Sequence, residues 1–570
     1  MSWNRRCFMV SAGAAAASIS TLPANSSPAA PATVGLDAPP DLQSLIDAER
    51  QRLLATLAKE GIAGAAVCLI HEGKPAWVEG FGSTDAQSAA KVTTGTIFNI
   101  ESTSKNFTTV AILLAVQQGL LDLDQPISAY LPDFRVHSRF ERRPESKITL
   151  RLLLSHRAGF THEAPVGNNY DAAFADFETH ARSISQTWLR YPVGQRYEYS
   201  NLGFDLAGYI LQTVAKMPFA QCLKRSVFEP LGMSDSTASP EEYAQRSDRA
   251  VGHQKGYDAV PSRIPLIPSG GVYTSARDMA AYLMFHLNQG QVDGKAILDE
   301  RLWKQMHGFS FGGNYSLGIA RAELRYGDTP IRLLNHNGGG FGFGCVFNIY
   351  PQAGLAWAVL FNDVADPGYQ IGAPLQRALL TRQYGEQKAR LPVKDLSTIE
   401  PLPADLEKFV GNWRGRAFRA DIKIQNGSLG IPFGTIFAPL RFTSPGDLFI
   451  AQPVPLGESL QLRYFPGREA QPAYLEASTG DASLNYNDGP QDLPGQERKA
   501  WDAYLGDYTI QIWGKPSQQV RIHRKNGYLY LDDFRLIVEF EPGLFFASDG
   551  EAVDFRHTPA TWRNVRLIRS

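Results

Sequence analysis

Phe98-Asn99-Ile100-Glu101-Ser102-Thr103-Ser104-Lys105 leads into a run with helical apolar spacing from Phe107 to Leu121. With Ser102 opening that helix, a spacing of three puts Ser102 and Lys105 on one face, a turn apart. A helix N-terminus presents unpaired N–H groups and the positive end of the macrodipole, which favour an alkoxide and a tetrahedral oxyanion. A serine alone is a poor nucleophile and needs an adjacent base, a task that a desolvated lysine can perform. Alone, S-x-x-K is a weak signal, because a helix cap followed by a surface lysine accounts for it as well.

Two further segments change that weighting. Arg196-Tyr197-Glu198-Tyr199-Ser200-Asn201-Leu202-Gly203 sets Tyr199 and Asn201 two apart, pointing the same way from an extended or turn-like backbone. A phenol can shuttle protons, and an Asn side chain can hold an amide carbonyl. Asn335-His336-Asn337-Gly338-Gly339-Gly340 precedes an apolar strand, and its glycines let a substrate approach backbone N–H groups closely. Singly, each segment has a plain structural explanation: a tyrosine packed in a loop, and a glycine-rich turn with a solvated histidine.

Taken in order, with 97 residues from Ser102 to Tyr199 and 137 from Tyr199 to His336, the set is more specific. It resembles the S-x-x-K, Y-x-N and [K/H]-x-G motifs of the penicillin-binding-protein and class C β-lactamase superfamily. Leu152-Leu153-Leu154-Ser155-His156-Arg157-Ala158-Gly159 and the stretch from Ser269 to Met279 are also similar to that family, so the resemblance covers roughly residues 42 to 385. It implies an α+β, β-lactamase/transpeptidase-like catalytic domain, an antiparallel sheet flanked by helices. It also implies roles. Ser102 is the nucleophile, Lys105 its base, and Tyr199 the proton relay to the leaving group and the base for deacylation. Asn201 contacts the substrate carbonyl, His336 takes the third-motif cation position, and the Gly339 N–H completes an oxyanion hole with that of Ser102. β-Lactamases usually carry Lys where His336 stands, which brings the chain closer to the D-alanyl-D-alanine carboxypeptidase and D-aminopeptidase branches. An imidazole at its ordinary pKa would make activity change between about pH 6 and 7, in a direction set by whether its neutral or charged form is needed.

Working outward, Leu42, Leu45, Ile46, Leu53 and Leu57 predict a helix ended by Gly61, and two apolar runs around His71-Glu72-Gly73-Lys74 predict a β-hairpin. Leu355 to Phe361 reads as a strand, and Ser275 as the N-cap of a helix. Beyond Pro401 short β-type runs alternate with Gly, Pro and Asn, and an internal repeat emerges. Phe409-Val410-Gly411-Asn412-Trp413 echoes Tyr504-Leu505-Gly506-Asp507-Tyr508, Asn426-Gly427 echoes Asn526-Gly527, and Pro445-Gly446 echoes Pro542-Gly543. The expected division is 1–32 export signal and leader, 40–395 hydrolase domain, 400–495 first β-barrel repeat and 496–570 the second. Two small barrels and the two halves of one lipocalin-like barrel both fit, since either closes its sheet edges. A duplicated tail of this kind resembles that of D-aminopeptidases, with a barrel expected to lean over the catalytic cleft.

Asn4-Arg5-Arg6 before an Ala-rich apolar run reads as a twin-arginine export signal, with cleavage after Ala24 or Ala32 and a periplasmic or secreted destination. No stretch has the roughly 20 continuous apolar residues of a membrane helix. Cys68, Cys222 and Cys345 permit at most one disulfide, and Cys68 and Cys345 read as interior strand residues. A net charge of −1 over 570 residues gives no case for a nucleic-acid partner. There is no H-E-x-x-H and no G-x-S-x-G, and the glycines from Gly338 to Gly344 do not fit G-x-G-x-x-G, so neither a metal nor another cofactor is expected. His156 and His253 are read as structural.

The expected function is therefore an exported serine hydrolase that forms an acyl-enzyme on Ser102. A peptidase or amidase acting on short peptides leads, with D-residues or linearised cyclic peptides as candidate substrates. An esterase or weak β-lactamase on the same scaffold is one alternative, and a penicillin-binding sensor that does not turn over is another. The intact three-motif set favours turnover, because a binding module has no need of Lys105 and Tyr199 together.

Overall fold

The computed structural model describes residues 41–388, apart from 172, 174, 310, 312–313 and 365–370, together with most of 403–486 and of 498–570. The expected leader with its twin arginines, the 390–400 boundary, and the repeat landmarks Pro445-Gly446 and Asn526 lie outside the described residues. Helix α1 (Leu42–Glu60) starts at Asp41, whose side chain accepts the Ser44 N–H, and stops at Gly61 in the left-handed region. Strands β1 (Gly64–His71) and β2 (Lys74–Gly82) form the expected hairpin, its turn made by Glu72 and Gly73 at positive φ.

Four strands from the far end of the domain join them: β3 (Ala320–Tyr326), β4 (Thr329–Gly340), β5 (Phe343–Tyr350) and β6 (Leu355–Phe361). With the short β7 (Gln387–Lys388) they form one antiparallel sheet in the order β7-β3-β4-β5-β6-β1-β2. Helices cover both faces, and strand alternation sorts the side chains between them. Ala66, Cys68 and Ile70 pack with Ala356, Ala358 and Leu360 toward α2 (Ser104–Gln117), α3 (Asn201–Ala215) and α4 (Ala276–Leu287). Ala65, Val67 and Leu69 pack with Trp357 and Val359 beneath α1 and α5 (Ala373–Tyr384). Burial on both sides explains why β1 and β6 read as unbroken apolar runs. Cys68, Cys222 and Cys345 are all buried free thiols. Among the described residues no helix is long and apolar enough to cross a membrane.

The C-terminal region forms two closed eight-stranded barrels, one from Gly411–Arg414 to Ser483–Tyr486 and one from Gly506–Ile512 to Val565–Arg569. Their entrances share a device. A 3-10 turn precedes a glycine, Gly411 or Gly506, with φ near +140, and the aromatic two residues later donates back across four residues. Trp413 Nε1 donates to Phe409 O, and Tyr508 Oη donates to Tyr504 O, each at 2.8 Å. The repeated five-residue motif is thus a barrel-entry plug that satisfies an otherwise buried carbonyl.

The second barrel is fastened to the hydrolase domain by polar groups taken out of water. Arg190, 4% exposed, pairs with Glu198 at 2.6 Å and with Glu551 of the barrel at 3.1 Å. Asp549 O accepts from Arg190 Nη2 and from Tyr191 Oη at 2.6 Å each, and Thr161 Oγ1 donates to Glu551 at 2.6 Å. Gly550, at φ +81, lets the barrel approach, since a Cβ there would lie 2.7 Å from Arg190 O. Removing Glu551 would take away one of the two carboxylates that Arg190 pairs with and strip the buried Thr161 hydroxyl of its acceptor. Glu551→Ala is therefore expected to cost about 3 kcal/mol, measured by urea unfolding followed by intrinsic fluorescence. An unchanged midpoint would show that this junction carries no stability.

Candidate active site

Ser102 lies in a tight 3-10 turn, Glu101–Thr103, and α2 begins two residues later at Ser104, so Ser102 does not itself open the α-helix. The turn is pinned from outside: Ile100 N–H donates to Val272 O at 3.0 Å, and Glu101 N–H to Asn99 Oδ1 at 2.6 Å. Lys105, fully buried on α2, reaches back to it. Its Nζ is 3.1 Å from Ser102 Oγ, 2.8 Å from Asn201 Oδ1 and 2.8 Å from Ser269 O. Asn201 Oδ1 and Ser269 O can only accept, so they hold two of the Nζ protons in place. The third direction, toward Ser102 Oγ, can carry N–H···O or N···H–O, which is what proton exchange between the two requires.

Asn201 is the first residue of α3, capped by Ser200, and not part of an extended segment. Tyr199 precedes that cap, buried, with its ring centroid 4.8 Å from Lys105 Nζ. Two histidines frame it, His156 at 4.3 Å and His162 at 5.8 Å between ring centroids. His156 Nδ1 also accepts the Ser200 N–H at 3.1 Å, and Ser200 Oγ donates to Thr161 O at 2.6 Å. The segment around Leu152–Gly159 therefore acts as a jig that sets Tyr199 and Asn201 against Lys105. His253 Nε2 accepts the Ala86 N–H at 3.0 Å, away from this cluster.

His336 to Gly340 belong to strand β4, not to a turn before a strand. His336 is buried, with Nδ1 donating to Asn337 O at 2.8 Å and Nε2 accepting from Tyr315 Oη at 2.9 Å. Burial, reinforced by the charge of Lys105, pushes its pKa down to about 3. The third-motif position thus holds a ring that burial keeps neutral, with its charge change placed well below pH 6 to 7. Gly338 passes so close to the nucleophile turn that a Cβ would fall 2.2 Å from Ile100 O and 2.8 Å from Ser102 N. A Cβ on Gly339 would meet nothing within 4 Å, and Gly339 lines the cleft together with Ser102.

That cleft spans about 560 Å³, part of it open to solvent. Ser102, Asn201, Ser269 and Gly339 form its floor side, and Ile264, Leu266, Phe341 and the barrel residues Ile512 and Trp513 its apolar walls. Trp513 stacks on Phe341 with centroids 5.6 Å apart, and its backbone N–H donates to Tyr170 O at 2.9 Å. Glu101, Tyr170, Tyr315 and Trp513 were not singled out from the sequence. Glu101 stood inside the decisive octapeptide, but the others come from distant segments whose meeting no spacing reveals. Among the described residues no group of three or more His, Cys, Asp or Glu could hold a metal ion.

A buried Ser–Lys pair flanked by Tyr and Asn, on an antiparallel sheet between helical layers, is the arrangement of the β-lactamase and penicillin-binding-protein superfamily of serine hydrolases. The chain belongs to the Beta-lactamase family, whose model matches residues 45–381. Protein flp of Staphylococcus aureus (strain COL) is 28% identical over 237 residues, 41% of this chain and 47% of that protein. Beta-lactamase-like protein 4 of Dictyostelium discoideum is 30% identical over 202 residues, 33% of this chain and 35% of that protein. The chain spans about half or less of the length of these curated relatives. The crystal structure of SurE with D-Leu shares the fold with TM-score 0.53 and 20% identity, covering 77% of this chain and 99% of that one.

The neutral imidazole has a measurable consequence. Because His336 takes up its proton only near pH 3, the kcat/KM profile between pH 5 and 8 should contain no inflection from this ring. His336→Gln should keep the shape of the wild-type profile over that range, whatever its height. An inflection near 6.5 that disappears in His336→Gln would contradict the buried, neutral assignment.

Proposed function

We propose that the protein is a serine peptidase or amidase that forms an acyl-enzyme on Ser102 and acts on short peptides, including those with D-residues. The observation that carries this reading is Lys105 Nζ, held by Asn201 Oδ1 and Ser269 O and 3.1 Å from Ser102 Oγ. Lys105 takes the Ser102 hydroxyl proton as Oγ attacks the carbonyl carbon. The tetrahedral oxyanion is held by the N–H groups of Ser102 and Gly339. Tyr199, beside the Lys105 ammonium, passes a proton to the departing amine and then accepts one from the water that releases the acyl group.

Three features support a short-peptide substrate. Trp513 and Ile512 of the second barrel wall one side of the cleft, which favours a short chain over a folded protein. The neutral His336 offers no charge to a substrate carboxylate of the kind a third-motif lysine would. The expected export signal supports a site of action outside the cytoplasm, where peptides with D-residues arise from wall turnover.

Ser102→Ala is expected to abolish both turnover and labelling by a fluorophosphonate probe. Lys105→Ala and Tyr199→Phe should each lower kcat roughly a thousandfold or more, and together far less than the product of the two. Peptide mapping that placed the label on another serine would sink the assignment. A panel of L- and D-alanyl amides, short D-containing peptides, short-chain esters and a chromogenic cephalosporin should show release from the D-amides and only slow cephalosporin hydrolysis. Efficient cephalosporin turnover without amide cleavage would make the protein a β-lactamase instead, and ester cleavage alone an esterase.

A further inference from the structure

Glu101 sits immediately before the nucleophile and takes no part in the steps above. It is 5% exposed and lines the cleft, and its Oε1 is buried with no hydrogen-bond partner. Its backbone is held at φ +50, a left-handed conformation that costs a non-glycine residue about 1 kcal/mol or more. A buried carboxyl oxygen left without a donor costs a further 1–3 kcal/mol or so. A turn that needed only to display Ser102 would be better served by glycine, which pays neither penalty. The carboxyl lies alongside the end of β4: a Cβ on Gly340 would fall 3.0 Å from Glu101 Oε2, and one on Gly270 3.8 Å from it.

The rest of the cleft fits the same chemistry. Glu101 is the one carboxyl among the described residues that line it, and no lysine or arginine joins them. Aromatic residues Tyr170, Phe341 and Trp513 supply much of the remaining wall. A carboxyl beside aromatic faces suits a cation, not an anion. An α-amino nitrogen is two bonds from the carbonyl carbon, and Glu101 is one residue from the atom that attacks that carbon.

We propose that Glu101 is a specificity-determining residue that receives a free amino group carried next to the scissile carbonyl, so that the enzyme selects amine-terminated over N-acylated substrates. This rests on the reading of Ser102 as nucleophile. Burial pushes the Glu101 carboxyl up to about 8, against the pull of Lys105 on α2. The neighbouring Tyr273 hydroxyl is raised by its own burial and stays neutral. Near pH 7 Glu101 is therefore protonated until a cation lies beside it. An arriving ammonium group pairs with the carboxylate, and the carboxyl proton leaves to solvent.

The test compares D-alanyl p-nitroanilide and a D-alanyl thioester with their N-acetyl forms, in the wild type, Glu101→Gln and Glu101→Leu. The wild type should favour the free amine roughly 10- to 100-fold in kcat/KM, the range expected for a hydrogen bond to a charged group. In both variants that ratio should fall toward one. Fluorophosphonate labelling of Ser102 reports whether each variant is folded. Protection of wild-type Ser102 from the probe by D-alaninamide, but not by N-acetyl-D-alaninamide, gives a readout independent of any variant. A labelled wild type that cleaves both forms equally, or variants that keep the wild-type ratio, would overturn the inference and leave the hydrolase reading standing. A wild type in which Ser102 is not labelled and neither thioester is cleaved would overturn both.

Discussion

One buried nitrogen organises this molecule. Lys105 Nζ has contacts with three oxygens that come from the turn before α2, the first residue of α3 and the short helical turn Ile267–Gly270. An amine removed from water must have its protons accepted, so these three elements are held to a common point. Each is braced in turn. Ser269 donates through both its N–H and its Oγ to Asp205 of α3, at 3.0 Å each, and Asp205 is met from its other side by His180 at 3.1 Å. Thr108 of α2 donates to Pro268 O at 2.6 Å, and Ser104 Oγ accepts the Val272 N–H at 3.0 Å. The apolar core supplies most of the stability, but it is this polar network that fixes where Ser102 Oγ stands. A half-satisfied version would be worse than none.

The second barrel is part of that construction and not an appendage to it. Glu551 and Glu198 share Arg190, and Glu198 immediately precedes Tyr199. The barrel therefore bears on the backbone that presents Tyr199, while its Trp513 forms a wall of the cleft. Cutting the chain before the barrels would remove Glu551 and Asp549, leaving Arg190 with Glu198 as its one remaining carboxylate partner among the described residues and the Thr161 hydroxyl without the acceptor it has in Glu551. The loss of specificity from such a truncation would be entangled with a loss of order around Tyr199. A change confined to the Trp513 turn separates the two effects, because that turn touches the cleft without touching the Arg190 cluster.

The parts of this structure that local chemistry decides were legible in the sequence. Asp41 and Gly61 bound α1, Ser275 caps α4, and the Leu355–Phe361 run is a strand with both faces buried. The motif residues Ser102, Lys105 and Asn201 could be grouped because each has a distinctive chemistry at a readable spacing, and the fold brings Ser102 and Asn201 both within hydrogen-bond reach of Lys105. What local pattern did not convey is set by tertiary contact. Ser102 falls in a 3-10 turn because Asn99 and Val272 capture the backbone ahead of the helix. Asn201 begins a helix because Ser200, held from outside by His156 and Thr161, caps it. His336 could not be recognised as neutral, since Tyr315, 21 residues away, supplies the donor that its Nε2 accepts.

That neutrality changes what the cleft can recognise. In a site whose third motif carries lysine, a substrate carboxylate finds a fixed positive charge, and carboxylate-bearing substrates gain accordingly. Here the ring at that position keeps both nitrogens occupied, Nδ1 by its own strand and Nε2 by Tyr315, so it has neither charge nor a free donor to offer. Lys105 does not compensate, because its protons are engaged beneath the floor and it is itself fully buried. A substrate carboxylate in this cleft would meet aromatic rings and the Glu101 carboxyl, and among the described lining residues neutral donors but no lysine or arginine to pair with its charge. On the proposed reading, a penalty on anions then contributes to discrimination beside any attraction for cations. The atoms proposed to perform the acyl transfer, on Ser102 and Lys105, thus stand beside a third-motif ring that burial keeps uncharged.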